Sequence, residues 1–409
     1  MKKKVFILFC AIIFITSLAF IFIRDLHLLI DESRHFPTID NISHGNFETK
    51  TFAMLPGYHF FMAFFVYIFH LSSQQGIRLL SLVFSITSVF VFYLVAKRIS
   101  AEFSEHKTLE YYFFPILFPF FFLVYTDVFS LLILLLAFYF ALDRKYILSG
   151  AASICSMLVR QNNIIWVAFV CIFIYFEKYG WKISKHALIE YFRNIWVFIV
   201  GLLSFAGFFL INRGFAFKDA EMSPSFTLHV GNCLFILLLF FFLFLPLNIC
   251  NFGKIAGFAK KHKWVSLITL LSVFLVYLFV FKNDHPYNFY PTNAKPGDML
   301  FLRNSILRYS LDSTSLLVKS ISFIPIGYSI LSLIVTRLHK QIFYLIYPLS
   351  IVFLSISWLI EPRYYLVPFT MFLLCKEEES EKTEYFTIAW FAVLALSLFL
   401  AILSGKWFP

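Results

Sequence analysis

The chain has 409 residues, of which 60% are apolar and 14% charged, and its formal net charge is +11. Its mean hydropathy of +0.82 and its recurrent long apolar runs exclude a soluble globular protein and predict an all-α, polytopic transmembrane helical bundle. The basic excess does not indicate a nucleic-acid partner, because Lys and Arg collect in short loops, as the positive-inside rule predicts for a membrane protein.

The apolar runs predict about 12 transmembrane helices. The first run follows Lys2–Lys4 and continues into Arg24 without a small-residue cleavage site, so we expect a retained membrane anchor and not a signal peptide. Segment 56–71 is short, so both a crossing and a re-entrant helix stay open. The candidate segments are 5–23, 56–71, 77–95, 111–125, 128–142, 146–159, 163–176, 195–211, 232–250, 264–281, 316–336, 341–360, 364–375 and 385–404.

The loops divide into a basic side and a side with unusual polar groups. Lysines at the N-terminus and basic loops later in the chain predict that 24–56 is the first luminal or periplasmic loop and 282–315 a second long outer loop. No internal repeat is visible, so we expect a single integral-membrane domain over 1–409. The outer polar residues are Asp31, Glu32, His35, Asp127, Arg160, His229, Asp284, His285, Glu361 and Arg363.

The pair Asp31-Glu32 is the most prominent feature of the acidic first outer loop. A carboxylate pair beside a bilayer, in a chain so poor in charge, predicts a function. It could act as a general base for an attacking hydroxyl or bind a divalent metal. An ordinary helix N-terminal cap is the alternative. His35 lies one helical turn beyond Glu32 and could contact a sugar or a phosphate, or it could be structural.

Two further groups interrupt apolar stretches later in the chain. Asp127 has no basic neighbour in sequence, so it is predicted to have a partner or a function, with a helix-capping turn as the alternative. Arg160, followed by Gln161, suits a phosphate because its planar guanidinium forms two aligned hydrogen bonds. The alternative is an interfacial arginine that extends to the lipid head groups.

Later outer loops add His229, His285, Glu361 and Arg363 as candidate substrate contacts, with the same ambiguity. Glu361 and Arg363 are close enough in sequence to pair with each other. The six cysteines lie mostly in apolar segments at unrelated spacings, which favours buried thiols over a disulfide framework or a metal site. The cysteines therefore predict no metal site of their own.

These motifs together resemble the dolichyl-phosphate-glucose-dependent α-1,2-glucosyltransferases, which add the terminal glucose to the lipid-linked oligosaccharide used in N-glycosylation. The similar residues follow the family's order over about 30–370. They are Asp31-Glu32-x-x-His35-x-Pro37, Thr51, Leu55-Pro56-Gly57-Tyr58, Tyr125-Thr126-Asp127 with Ser130, Arg160-Gln161-x-Asn163-Ile164-Ile165-Trp166, Lys218-Asp219, His229, His285-Pro286-Tyr287, and Glu361-x-Arg363-Tyr364 with Pro368.

The resemblance implies an enzyme of the GT-C type, a multispanning helical protein with its site at the outer or luminal surface. The donor would be a polyprenyl-phosphate sugar and the acceptor a lipid-linked glycan, and the reaction would invert the anomeric configuration. Asp31 would be the general base, with Glu32 and His35 orienting substrate. Arg160 and Arg363 would hold the leaving phosphate, and His229 or His285 would contact phosphate or sugar. The resemblance implies no metal requirement.

Two alternatives stay open from the sequence. After His285-Pro286-Tyr287 the chain reads NFYPTNAKPGDML in place of the family's Asn-Arg-His-Tyr stretch. A bacterial GT-C transferase with another polyprenyl-phosphate sugar and a lipopolysaccharide or cell-wall acceptor is therefore the first alternative. A transporter or flippase of lipid-linked sugars is the second, although its charges would be expected near the bilayer midplane. The membrane would be the endoplasmic reticulum in a eukaryote and the inner (plasma) membrane in a bacterium.

Overall fold

The computed structural model describes residues 2–47, 54–212, 228–289 and 299–408, and it confirms the prediction of an all-α protein built from apolar helices. The helices are α1 (Lys2–Ile23), α2 (Glu32–Ser43), α3 (Gly57–Phe69), α4 (Gln74–Ile99), α5 (Ser104–Tyr112), α6 (Thr126–Leu142), α7 (Tyr146–Val159), α8 (Ile164–Tyr179), α9 (Lys185–Asn194), α10 (Trp196–Asn212), α11 (Gly231–Leu243), α12 (Leu245–Lys261), α13 (Lys263–Phe279), α14 (Leu302–Tyr309), α15 (Leu316–Val335), α16 (Ile346–Ser355), α17 (Leu366–Cys375) and α18 (Glu381–Leu403). The strands β1 (Leu300–Phe301) and β2 (Trp407–Phe408) form a short parallel pair.

The chain divides into two compact units. The first comprises Met1–Thr108 and Pro119–Ser225, and the second comprises Leu109–Phe118 and Phe226–Pro409. This division does not test the prediction of one catalytic domain over 1–409, which stays a prediction.

In the first unit, α6 is the central helix and packs against α4 and α7. Most of its residues are buried, in keeping with its uniformly apolar sequence. The start of α3 approaches α7 so closely that a Cβ at Gly57 would lie 2.5 Å from the carbonyl oxygen of Leu158. Glycine is therefore required at this contact, because any side chain would push the two helices apart.

The prediction of a spanning helix over 111–125 is wrong. Helix α5 ends at Tyr112, and the following stretch forms turns and a 3-10 helix over Phe118–Phe122. Pro115 and Pro119 explain the difference, because a proline inside a helix lacks the amide hydrogen and clashes with the preceding turn. The stretch is nevertheless buried, so its apolar composition reports burial and not helix.

In the second unit, α11 and α12 meet at Phe244 with a bend of 96°. Pro246 lies in the first turn of α12, where its missing amide hydrogen costs no hydrogen bond. Helix α12 packs against α15 and α18. Asn251 joins α12 to α15 by donating hydrogen bonds to Ser332 and Thr336.

Within the described ranges, four helices are long and apolar enough to cross a membrane: Lys3–Ile23, Gln74–Ile99, Leu316–Val335 and Glu381–Leu403. The number rises to six if each of two bent helix pairs counts as one span. These helices indicate an integral membrane protein. The count of about 12 crossings stays a prediction.

Candidate active site

The first polar cluster surrounds the acidic pair of the predicted first loop. This loop is not wholly irregular, because α2 begins at Glu32. Asp31 occupies the N-cap position of α2, but its side chain makes no capping hydrogen bond and is partly exposed. Its backbone amide donates to the Tyr125 hydroxyl over 3.1 Å, and that hydroxyl donates to the Leu29 carbonyl. Asp31 thus stands at the N-terminus of α2, as the capping alternative predicts, but without a side-chain capping hydrogen bond.

Glu32 has a different environment from its neighbour. Its side chain is fully buried and forms an ion pair with Arg78 of α4, with 2.6 Å between Glu32 Oε2 and Arg78 Nη2. Glu32 Oε1 also accepts from the Val124 amide over 2.8 Å, and Oε2 from the Leu29 amide over 3.0 Å. Both carboxylate oxygens thus have protein donors.

Arg78 is a member of this cluster that the sequence analysis did not identify. A signal was present, because an arginine inside the apolar segment 77–95 needs a partner. Its side chain is fully buried. Its guanidinium also donates to the backbone carbonyls of Ile23, Arg24, Leu26 and His27.

His35 lies on the buried face of α2 and is 4% exposed. Its Nδ1 lies 2.9 Å from Nε2 of His59 on α3, which is fully buried. One of these two nitrogens must carry the proton that the other accepts. The ring also packs edge-on against Tyr125, 6.0 Å between centroids. His35, a predicted substrate contact, thus connects α2 to α3 through His59 and packs against Tyr125, whose hydroxyl accepts from the Asp31 amide.

Asp127 and Arg160, separately predicted as candidates, form an ion pair of 2.8 Å. Their side chains are 2% and 14% exposed, so the pair is largely desolvated. Arg160 Nε also donates to the Thr126 hydroxyl over 3.1 Å. Gln161 begins the 3-10 helix that follows and is partly exposed. Since Asp127 lies two residues after Tyr125, the structure brings this pair and the acidic loop to one region of the first unit.

The second polar cluster belongs to the second unit and centres on Glu361, which is fully buried. Arg363 approaches both carboxylate oxygens of Glu361 at 3.4 Å, as the short spacing predicts. Arg303 of α14, which the sequence analysis did not identify, forms a second ion pair with the same carboxylate. Arg303 is 4% exposed. Two guanidinium groups thus share one carboxylate.

Asn232 of α11 fixes the backbone of this cluster. Its side-chain amide donates to the carbonyls of Ser357 and Leu359 over 3.0 and 2.9 Å. Its oxygen accepts from the Glu361 amide over 3.1 Å and from the Tyr365 hydroxyl over 2.8 Å. Asn232 is fully buried, so this one side chain satisfies the polar groups on both sides of Glu361.

His285 and His229 flank Trp358 near this cluster, with ring centroids 4.5 and 6.4 Å from the indole. The indole Nε1 donates to Asp284 over 2.6 Å. Burial, and next the positive charge of Arg303, lower the pKa of His285 to about 4. Burial also lowers the pKa of His229, although Asp284 opposes this shift. His285 is therefore neutral at physiological pH and offers a ring nitrogen without a charge.

A cavity of about 770 Å³ lies within the second unit, between α11, α13, α15, α16 and α17. Its lining is almost entirely aliphatic and aromatic, for example Leu237, Val273 and Phe372. At one end it reaches Val230 and Ser355. The carbonyl of Ser355 accepts from the His229 amide over 2.7 Å, so this end of the cavity adjoins the polar cluster.

Across the described ranges, no group of three or more His, Cys, Asp or Glu side chains could hold a metal ion. The absence of a metal requirement stays a prediction. Thr51, Lys218 and Asp219, which form part of the resemblance, lie outside the described residues.

Comparison with known proteins agrees with the motif pattern. Residues 26–187 match the model of the DIE2/ALG10 family. A curated relative from Drosophila melanogaster is 22% identical, covering 74% of this chain and 73% of its own length. A Homo sapiens relative is 25% identical over 84% of this chain and 83% of its own, and one from Mus musculus is 24% identical over 59% and 60%. Each is named Dol-P-Glc:Glc(2)Man(9)GlcNAc(2)-PP-Dol alpha-1,2-glucosyltransferase.

Among solved structures, ArnT from Cupriavidus metallidurans in the apo state is similar with a TM-score of 0.42 and 13% identity, over 96% of this chain and 78% of that chain. The family match covers the acidic loop, Arg78, Asp127 and Arg160, which are the residues of the first cluster. The resemblance inferred from the motifs is thus confirmed: the chain is similar to curated dolichyl-phosphate-glucose-dependent α-1,2-glucosyltransferases over most of its length, and to the family model over 26–187.

Proposed function

We propose that the chain is an inverting membrane glucosyltransferase of the GT-C type. It would transfer glucose from a polyprenyl (dolichyl) phosphate to a lipid-linked oligosaccharide and form an α-1,2 linkage. The observation that carries the proposal is the different environment of the two neighbouring carboxylates. Asp31 is partly exposed on a backbone held by Tyr125, whereas Glu32 is buried beneath it. The names of the curated relatives support the donor and acceptor classes.

Asp31 is the general base in this proposal. Its carboxylate accepts the proton of the acceptor hydroxyl, and the hydroxyl oxygen attacks the anomeric carbon from the face opposite the phosphate. The bond from that carbon to the phosphate oxygen breaks, and polyprenyl phosphate leaves with the electron pair. A β-linked donor thus gives an α-linked product. Glu32 is a poorer base, because Arg78 and two backbone amides already donate to its oxygens.

The arginines of each cluster provide candidate anion contacts. Arg160 lies in the same unit as Asp31 and is proposed to hold the leaving phosphate, although its pairing with Asp127 reduces its free charge. In the second unit, two guanidinium groups, those of Arg303 and Arg363, meet at Glu361, and guanidinium groups are the donors best suited to an anionic group of a lipid substrate. His285 and His229 are proposed to contact phosphate or sugar there.

The apolar cavity of the second unit is proposed to take part of the isoprenoid chain of a lipid substrate. Its lining offers many dispersion contacts and few polar groups, which suits a hydrocarbon chain and not a sugar. The end beside His229 would place the charged head of such a lipid near the Glu361 cluster. The enzyme would act at the luminal face of the endoplasmic reticulum in a eukaryote or the outer face of the inner membrane in a bacterium, with about 12 crossings and no metal.

Glucosyl transfer by purified protein in detergent tests the proposal. The substrates are polyprenyl-phosphate glucose and a lipid-linked oligosaccharide that lacks its last glucose. We expect transfer by the wild type and its loss in Asp31→Asn, with gel filtration as the control for folding. Transfer that survives in Asp31→Asn would assign the base to Glu32 or Asp127. A folded wild type that transfers no glucose would refute this donor–acceptor pair and favour another polyprenyl-phosphate sugar.

A further inference from the structure

The backbone just before Asp31 adopts an unusual conformation. Ile30 has a φ of 46°, in the left-handed region. A β-branched residue rarely adopts this conformation, because its Cβ crowds the neighbouring peptide. Such a backbone persists only where the surrounding structure holds it, and residues of this kind concentrate at functional sites. Here the next residue along the chain is the proposed general base.

The contacts of Arg78 supply this external hold. The guanidinium binds both oxygens of Glu32 on one side of Ile30. On the other side it donates to carbonyls of residues 23–27, which form the end of α1 and the turn that follows. The segment 24–31 is therefore fastened at both ends to a single side chain on α4. Glu32 extends the same network to the Leu29 and Val124 amides.

The geometry points to a new role, which rests on the proposed function: we propose that Arg78, acting through Glu32, is a positioning residue that holds segment 24–31 in its left-handed turn and so fixes the Asp31 carboxylate. Neither Arg78 nor Glu32 touches substrate on this assignment. On this assignment the Asp31 carboxylate is the general base and the Glu32 carboxylate holds the backbone in position. A lysine could not replace Arg78, because an ammonium group presents three donors without the planar fork.

The first test compares Arg78→Lys with Ser85→Ala. Ser85 lies two turns further along α4, is buried, and donates to the Ser81 and Phe121 carbonyls without touching segment 24–31. A misplacement of about 1 Å costs roughly a hundredfold in rate. We therefore expect Arg78→Lys to lower kcat by about that factor, with KM for both substrates unchanged. Ser85→Ala should keep the wild-type kcat. Equal kcat values in the two variants would overturn the proposal.

The second test separates positioning from base catalysis by Glu32. Glu32→Gln leaves the buried Arg78 charge without its carboxylate, which is costly. The double variant Arg78→Gln/Glu32→Gln removes both charges, and two amides can still hydrogen-bond. Under positioning, the double variant should be roughly tenfold more active than Glu32→Gln alone, as contacting residues couple strongly. If Glu32 were the base, the double variant would be no more active than Glu32→Gln.

A third measurement needs no activity. Amide hydrogen exchange over residues 24–31 should be faster in Arg78→Lys than in wild type or Ser85→Ala, because the turn loses its external hold. Unchanged exchange would reject the positioning role even if kcat fell. A wild type without glucosyl transfer would refute the proposed function, while the exchange comparison would still decide whether Arg78 holds the segment.

Discussion

Replacing Asn232 by alanine should destabilise the second unit more than replacing any buried asparagine with fewer partners. The Asn232 side chain makes four hydrogen bonds, two as donor and two as acceptor, and it is fully buried. At a net value of about 1 kcal/mol for each bond, Asn232→Ala should cost about 4 kcal/mol of unfolding free energy. The cost arises because the buried Glu361 amide and Tyr365 hydroxyl would lose their acceptor. The partly buried carbonyls of Ser357 and Leu359 would also lose their donor.

Asn251 provides the matched control within the same unit. It is also fully buried, but its side-chain amide makes two hydrogen bonds, to Ser332 and Thr336. Asn251→Ala should therefore cost about 2 kcal/mol, since the same atoms are removed and half as many bonds are lost. Thermal unfolding of both variants in the same detergent, followed by tryptophan fluorescence, measures the difference.

We expect the Tm of Asn232→Ala to lie roughly 4–8 °C below that of Asn251→Ala, from about 2–4 °C for each kcal/mol in a unit of this size. Glucosyl transfer should also fall further in Asn232→Ala, because Asn232 holds the Glu361 backbone. Equal Tm values would refute the reasoning, since they would mean that the hydrogen bonds to the 357–361 segment contribute nothing beyond those of an ordinary buried asparagine.

Two other predictions concern the second unit. Burial and Arg303, opposed by Asp284, lower the pKa of His285 from 6.5 to about 4. As pH drops from 6.5 to 4 the unfolded chain binds the proton before the folded protein does, so the stability of the folded protein should fall over this range. His285→Gln should remove this part of the pH dependence of Tm, and an unchanged pH profile of Tm would contradict the assignment. Filling the cavity with Leu237→Trp should lower kcat/KM for a long-chain polyprenyl donor more than for a short-chain donor. The control Leu271→Trp, at a half-exposed position outside the cavity lining, should not change the ratio between the two donors. Equal losses for both donors in Leu237→Trp would contradict a chain-binding role for the cavity.

The sequence predicted the class of fold because hydropathy reports burial and membrane contact directly. The prediction of a helix from apolar composition is wrong at 111–125, where Pro115 and Pro119 disfavour a helix. The sequence analysis also named most of the charged groups that the structure brings together. A pairing of Glu361 with Arg363 is one alternative that the sequence offers, because two residues of spacing leave them within reach of each other, and the structure shows it.

The partners that come from distant elements were not predictable in the same way. Asp127 and Arg160 were both named, but their pairing across 33 positions depends on how α6 and the end of α7 pack. Arg78 and Arg303 were missed because a sequence shows that a buried charge is costly without showing which carboxylate offsets the cost. The rule that a charge in an apolar segment needs a partner would have identified Arg78 as a residue to explain.

The ion pair between Glu32 and Arg78 also explains how the adjacent carboxylates of Asp31 and Glu32 can have separate roles. Asp31 and Glu32 share a sequence context, yet Glu32 is fully buried and Asp31 is partly exposed, because successive side chains at the start of a helix point in different directions. Once Glu32 meets Arg78, its charge stabilises the loop and its oxygens have protein donors. Asp31 is then left partly exposed beside a backbone that the buried pair keeps in place. On this proposal Glu32 is needed to fix the position of the Asp31 carboxylate. Removal of Arg78 should therefore impair the reaction even though Arg78 does not contact the substrate.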